Sequence, residues 1–212
     1  MTCRAGGILL CAGSGRRMGG KNKLLRPILG KNSIERSLES MMSTGRLVQV
    51  ALVVSEDVRE HVEALVKNAG QRILCTVVDG GSHRGASVWR GLRALEDRQL
   101  DLVAIHDAAR PLFSPASLEK CLDVAEAMGG GVPGKKVVDT LRRTDAEGNW
   151  LEDLDRSDVW RVETPQCFRY GEIYAAYKAS EEAGFELSDD GAVYARWGGR
   201  PKMVATMEEN MK

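Results

Sequence analysis

Residues Ile8–Leu25 read ILLCAGSGRRMGGKNKLL. Ile8, Leu9, Leu10 and Cys11 form an apolar run that passes straight into a glycine-punctuated loop. That loop carries Arg16, Arg17, Lys21 and Lys23. A short continuous apolar run reads as a strand buried on both faces, and glycines at its end let a backbone approach a ligand closely. The positive charge therefore stands at the mouth of a buried strand.

The rest of the chain repeats the alternation. SIERSLESMMSTG (33–45) has Ile34, Leu38, Met41 and Met42 at helical spacing and closes on Gly45. LVQVALVVS (47–55) reads as a strand. SEDVREHVEALVKNAG (55–70) reads as a helix with Ser55 as N-cap, acids in its first turn and Gly70 at its end. RILCTVVDGG (72–81), HRGASVWRGLRALED (83–97) and LDLVAIHDAARP (100–111) continue as strand, helix and strand. SPASLEKCLDVAEAMGG (114–130) opens on Ser114 as cap, with Pro115 at the first helical position.

Continuous apolar strands between amphipathic helices imply an α/β fold: a single Rossmann-like domain, residues 1–212, with a mostly parallel mixed sheet covered by helices on both faces. Such sheets bind ligands beyond the carboxyl ends of their strands. The opening loop, DGGSHRGAS and HDAARP all fall at such ends and are expected to meet. The rhythm breaks between Val137 and Val162, where two extended halves flank the polar turn DAEGN; this reads as a protruding β-hairpin arm. RYGEIYAAYKASEEAG (169–184) resumes helix, LSDDGAVYARWGG (187–199) offers Ser188 or Asp189 as cap of another, and PKMVAT (201–206) reads as a last strand.

Composition narrows the partners. Thirty basic residues balance thirty acidic ones, so no polyanion-binding surface is expected and nucleic acid is not an expected partner. No apolar run approaches the roughly 20 residues of a membrane span, and the first residues lack the apolar segment of a secretory leader. The five cysteines are scattered without a CxxC pair, which fits free thiols in a reducing cytoplasm rather than a zinc site or a disulfide framework.

The opening loop is not a dinucleotide fingerprint, because Met18 replaces the third glycine of G-x-G-x-x-G and Glu56 falls in a helix start rather than at a strand end. It is not a Walker loop either, since no GKS or GKT is present. A triphosphate clamp fits better: small residues admit phosphate oxygens to backbone N–H groups, and cations meet the charge of a transferring phosphoryl group.

LLCAGSGRRMG resembles the A-A-G-x-G-x-R-M signature of the sugar-nucleotide and polyol-phosphate nucleotidyltransferases. VVDGGSHRGASVWRGL (77–92), HDAARP (106–111), Asp139–Thr140, Asp155–Arg156, TPQCF (164–168) and NMK (210–212) follow in the order of one branch. That branch is the 2-C-methyl-D-erythritol 4-phosphate cytidylyltransferase family. The resemblance implies transfer of CMP from CTP to a polyol phosphate with release of pyrophosphate, Mg2+ or another divalent cation as cofactor, and a homodimer joined through the arm.

On that resemblance Arg17 and Lys23 are the catalytic cations. Cys11, Ala12, Gly13, Gly15, Gly81, Ser82, Ser87 and Asp107 contact the nucleotide, with Asp107 also the metal ligand. Arg110, Thr140, Arg156, Thr164, Ser188 and Lys212 grip the acceptor and its phosphate. Cys11 stands where the signature has alanine, Ser82 where it is often acidic, and Ser188 where threonine is common. His106 reads as a packing residue at a strand end, and His61 and His83 as surface residues. The nearest alternatives are a ribitol 5-phosphate cytidylyltransferase, which would share the nucleotide half, and a non-catalytic CTP-binding domain.

Overall fold

A computed structural model describes residues 3–12, 22–68, 74–96, 99–207 and 209–212. At its centre lies β1 (Ala5–Cys11), every residue of which is buried. It pairs in parallel with β2 (Leu47–Val54) on one side and β4 (Leu102–Asp107) on the other, and β2 pairs in parallel with β3 (Leu74–Asp79). The period-2 alternation of a strand divides the core into two layers. Leu9 and Cys11 join Ile34, Leu38 and Met41 of α1 (Ser33–Ser43), Val58 and Val62 of α2 (Glu56–Asn68), and Leu118 and Leu122 of α4 (Pro115–Met128). Ile8 and Leu10 join Val88 and Leu92 of α3 (Arg84–Ala94), Ile173 and Tyr177 of α5 (Tyr170–Ala183), and Val193 of α6 (Asp190–Arg196). The sheet covered on both faces is the expected architecture.

The helix ends follow the sequence signals. Ser114 Oγ accepts from Ser117 N–H at 3.1 Å, with Pro115 in the first turn. Of the two residues offered for α6, Asp189 is the cap, accepting from Ala192 N–H at 2.8 Å. Asn32 and Glu35 form a reciprocal capping box at the start of α1, and Gly45 follows α1 at φ +67°. Ser55 starts α2 through its carbonyl, which accepts from Val58 N–H, while its hydroxyl bonds Asp57. Gly70 lies outside the described residues.

Two strands, β5 (Gly130–Lys136) and β9 (Gln166–Arg169), are absent from the sequence reading, and a third, β8 (Trp160–Val162), reads there as part of the arm. β5 runs straight out of α4, and β9 lies antiparallel between β4 and β5. β8 pairs antiparallel with β5, and β10 (Lys202–Ala205) closes the order β10-β5-β9-β4-β1-β2-β3. Glycine, proline and lysine dominate GGVPGKK and hide the β pattern. Packing explains the glycines: a Cβ on Gly131 would fall on the Cys121 carbonyl of α4, and one on Gly134 would come within 2.6 Å of the Arg161 carbonyl.

The arm is shorter than its sequence limits. Its free part is the two-stranded sheet of β6 (Leu141–Thr144) and β7 (Trp150–Leu154), turned by Asp145 and Gly148. Trp160–Val162 belongs to the main sheet instead, and Val137 N–H bonds the Val159 carbonyl at 2.9 Å where the arm leaves it. Trp150 remains 60% exposed, its ring stacked under the Arg142 guanidinium at 3.7 Å.

Two glycines give opposite expectations. Gly131→Ala forces the β5–α4 contact apart and should lower stability by about 1–3 kcal/mol, whereas Gly171→Ala meets open space in the first turn of α5 and should be neutral or stabilising by up to about 1 kcal/mol. Urea-unfolding midpoints of the two variants check both signs; equal midpoints would contradict the packing assigned to β5.

Candidate active site

The parallel strands β1 to β4 point their carboxyl ends to one edge, and a cavity of about 450 Å³ opens there. Ala12 after β1, Gly81, Ser82, His83 and Arg84 after β3, Asp107 and Ala109 at the end of β4, Ser87 of α3, Leu24 and Lys212 line it. Among the residues expected to contact nucleotide, Ala12, Gly81, Ser82, Ser87 and Asp107 are thus brought together. Cys11 sits just behind them, fully buried, and burial pushes its thiol pKa far up, which leaves it an inert packing group. Lys23 is exposed in a 3-10 turn (Lys23–Leu25) whose next residue, Leu24, lines the cavity. Gly13, Gly15 and Arg17 lie outside the described residues.

The loop before α3 is shaped by close contacts. A side chain on Gly81 would collide with Ala86 backbone, and one on Gly80 would come within 2.5 Å of Ala12 Cβ. Ser87 Oγ accepts from Gly81 N–H at 3.0 Å and lies 3.1 Å from the His83 carbonyl, to which it donates. Two of the residues expected to contact the nucleotide therefore hold each other. His83 caps α3, its Nδ1 accepting from Ala86 N–H at 3.3 Å, while its Nε2 lies 3.2 Å from Glu186. It is a loop fastener at the cavity wall rather than a plain surface residue.

Asp107 is the electrostatic centre. It is 8% exposed, with Arg84 Nε at 3.1 Å from Oδ1 and Lys212 Nζ at 2.6 Å from Oδ2. Burial alone would raise its pKa. The charges of Arg84 and Lys212, with the Lys212 hydrogen bond, outweigh that and hold it at about 2. Among the described residues no group of three His, Cys, Asp or Glu side chains is arranged to hold a metal.

Behind Asp107 lies a neutral relay. Asp107 N–H donates to Thr164 Oγ1 at 3.2 Å, and that oxygen is 2.9 Å from His106 Nδ1. His106 Nε2 is 3.1 Å from the Arg110 carbonyl, an acceptor only. Nε2 therefore carries the proton and Nδ1 accepts from the threonine hydroxyl. His106 is fully buried, and that burial holds its pKa down at about 4. The packing role expected of His106 is the one it has. Thr164, expected on the acceptor, has its hydroxyl committed to this relay.

A second cavity of about 570 Å³ adjoins, lined by Arg110, Arg161, Val162, Glu163, Glu209, Asn210, Met211 and Lys212. Lys212 lines both. Asn210 fixes the tail: its side-chain amide N–H donates to the Thr164 carbonyl at 2.8 Å, and its backbone carbonyl accepts from Arg110 at 2.8 Å. Arg110 Nε is buried and has no hydrogen-bond partner among the described residues. Ser188 is exposed just before α6, and Thr140 and Arg156 face each other across the base of the arm at 3.4 Å; these three line neither cavity.

Sequence reasoning missed Arg84, Asp190 and Tyr177. Arg84 lies inside a quoted motif yet received no role. Its guanidinium bonds both oxygens of buried Asp190, at 3.0 and 2.8 Å, as well as Asp107. The only available signal was its place between Gly81 and Ser87 in that motif. Arg161 and Glu163 were equally silent, since Trp160–Val162 reads as the end of the arm rather than as a strand of the main sheet.

Small residues at a strand end with cations beside them suit the phosphates of a nucleotide, and this edge fits the nucleotidyltransferase class. Comparison with known proteins narrows this. The family model for 2-C-methyl-D-erythritol 4-phosphate cytidylyltransferase matches residues 7–212. The chain is 34% identical over 209 residues to the enzyme of that name from Parasynechococcus marenigrum, covering 97% of this chain and 90% of the relative. It is 35% identical over 207 residues to that of Geobacillus thermodenitrificans, covering 97% and 89%. The solved 4-diphosphocytidyl-2C-methyl-D-erythritol synthase from Anaerococcus prevotii superposes with a TM-score of 0.85 at 24% identity, over 100% of this chain and 90% of that one, and supports the fold. The Thermus thermophilus cytidylyltransferase gives 0.72 at 26%, over 94% and 88%. The chain belongs to the 2-C-methyl-D-erythritol 4-phosphate cytidylyltransferase family.

The buried imidazole sets a pH dependence. Unfolded, His106 titrates at its ordinary 6.5; folded, at about 4. Its contribution is fully present above pH 6.5 and is lost as pH falls to about 4, by roughly 3 kcal/mol. Asp107 adds a second loss between 3.8 and about 2. In chelator-treated protein without nucleotide, stability should fall between pH 7 and 4 while the His106 ring resonance stays in its neutral position down to pH 5. A ring that titrates near 6.5 in the folded protein would refute the buried relay.

Proposed function

We propose that the chain carries out its family's reaction, transfer of CMP from CTP to 2-C-methyl-D-erythritol 4-phosphate with release of pyrophosphate, a step of isoprenoid precursor synthesis, across its two adjoining cavities. The observation that carries this reading is Lys212, which lines both and is bonded to Asp107 between them. CTP would lie in the cavity walled by Ala12, Gly81 and Ser87, and the polyol phosphate in the one walled by Arg110 and Arg161.

The nucleophile is a phosphate oxygen, largely ionised at neutral pH because its second pKa is near 6. A general base is therefore unnecessary, and neutral, hydrogen-bonded His106 is unsuited to be one. What the reaction needs is stabilisation of charge on the α-phosphate and the departing pyrophosphate. Arg17 and Lys23 are the residues proposed for it, with Lys212 available to either phosphate group.

The donor set suits Mg2+. Asp107 is the one carboxylate among the described residues lining the nucleotide cavity, and it is held ionised. Mg2+ takes one or two carboxylates and leaves the rest to phosphate and water. Asp107 would hold it with the triphosphate, and the ion would neutralise phosphate charge.

The arm supports a homodimer. A two-stranded hairpin is marginal alone, and this one exposes Trp150, Leu151 and Val138. Arg156 and Thr140 would then serve the neighbouring subunit's acceptor cavity. Among the described residues no helix is long and apolar enough to cross a membrane, in keeping with the cytoplasmic location proposed for the enzyme.

Pyrophosphate release should be observed with CTP and the methylerythritol phosphate, and exceed that with ribitol 5-phosphate; Lys23→Ala should lose about 3 kcal/mol of transition-state stabilisation, roughly 100-fold in kcat, with a smaller effect on CTP affinity. A variant with unchanged kcat would remove Lys23 from the mechanism. The shared site has its own check. Lys23→Ala and Arg156→Ala homodimers, each nearly inactive, should regain activity when mixed under subunit exchange, because one site of the heterodimer carries neither defect. Verified exchange without recovered activity would confine the arm to its own chain.

A further inference from the structure

Asp190, first residue of α6, is 0% exposed, yet it is a carboxylate. Its Oδ1 accepts from Arg84 Nη1 at 3.0 Å and from the Tyr177 hydroxyl at 2.6 Å, and its Oδ2 accepts from Arg84 Nη2 at 2.8 Å. That fork leaves Arg84 Nε, which reaches Asp107 at 3.1 Å. One guanidinium thus spans a buried carboxylate and the carboxylate of the nucleotide cavity. We infer that Asp190 and Tyr177 are positioning residues for nucleotide binding, holding Arg84 in the orientation that fixes Asp107 and offsetting its charge so that Asp107 keeps a net negative charge toward the cavity. The inference rests on the reading of that cavity as the CTP site.

The charge count makes the second half of the argument. Arg84 and Asp190 form a bidentate, mutually neutralising pair. Asp107 is then left with one negative charge, which meets Lys212 in this structure. Without Asp190, the full guanidinium charge would fall on Asp107 and its attraction for any other cation would shrink. Geometry makes the first half. An arginine side chain has four rotatable torsions, and the fork on Asp190 removes that freedom before nucleotide arrives. Tyr177 gives the buried carboxylate its third hydrogen bond, as an ion out of water requires.

A purely structural role is separable. Tyr177→Phe keeps the ring in the core and removes only the hydroxyl. It should weaken CTP binding, measured by calorimetry, about 3- to 10-fold, a fraction of what one hydrogen bond to a charged group is worth, because the hydroxyl reaches nucleotide only through Arg84 and Asp107. Asp190→Asn should weaken it more, and Asp190→Glu should not restore it, since at this fully buried position the added methylene displaces the carboxylate from the Arg84 fork. If Asp190→Asn fails to fold, Tyr177→Phe decides alone through a double-mutant cycle. Placed in an Asp107→Asn background, the hydroxyl deletion should lose most of its effect on CTP affinity, because the path from Tyr177 to nucleotide runs through Asp107. The same fold-loss in both backgrounds, or wild-type affinity in Tyr177→Phe, overturns the inference. Wild-type protein that binds no CTP overturns instead the reading of the cavity on which it rests.

Discussion

A carboxylate buried at the end of a strand stays ionised only if cations are held against it. Asp107 imposes that condition, and much of the molecule meets it. Arg84 comes from the first turn of α3, Lys212 from the tail after β10, and the backbone of Asp107 itself is tied to Thr164 ahead of β9. Removing one partner of the buried Arg84 pairs typically costs about 3–5 kcal/mol, because the other charge is left stranded. The loop, the tail and the start of α6 are therefore coupled through a single side chain.

Topology delivers these groups to one edge. β9 is antiparallel to β4 with Ile105 paired to Gln166, so Thr164, ahead of Gln166 by two positions, enters beside Asp107, past Ile105 by two. β5 reverses again and runs parallel to β4, and β10 runs parallel to β5. The tail after Ala205 consequently emerges at the same edge and can set Asn210 on Thr164 and Lys212 on Asp107. An all-parallel sheet would have sent TPQ to the opposite end.

The central strands were legible because they are buried on both faces and nothing but apolar side chains suits them; Ile8, Leu9 and the run from Val50 to Val54 leave no other reading. The meeting of Gly81, Ser87 and Asp107 followed from strand order. β5 was illegible because its glycines answer to α4 and β8, partners that no local pattern reveals. Asp190 was illegible for a related reason: DD before an apolar helix reads as a cap and a first-turn acid, and Asp189 does cap. That its neighbour is a buried counter-ion depends on Arg84, more than a hundred residues away in sequence.

The two cations on Asp107 differ in kind. Arg84 is forked onto a second carboxylate and is fixed by three hydrogen bonds. Among the described residues Lys212 makes a single side-chain bond, from a side chain that is 50% exposed at the junction of two cavities. Ion pairs open to water hold little net free energy, since solvent competes and the long side chain gains freedom on release. Lysine also suits exchange, being a compact charge without the planar fork that binds arginine to one geometry. An anionic ligand entering either cavity can therefore take Lys212 from Asp107 at small expense, while Arg84 stays. The constant partner keeps the carboxylate placed; the exchangeable one links its charge to whether the cavities are filled.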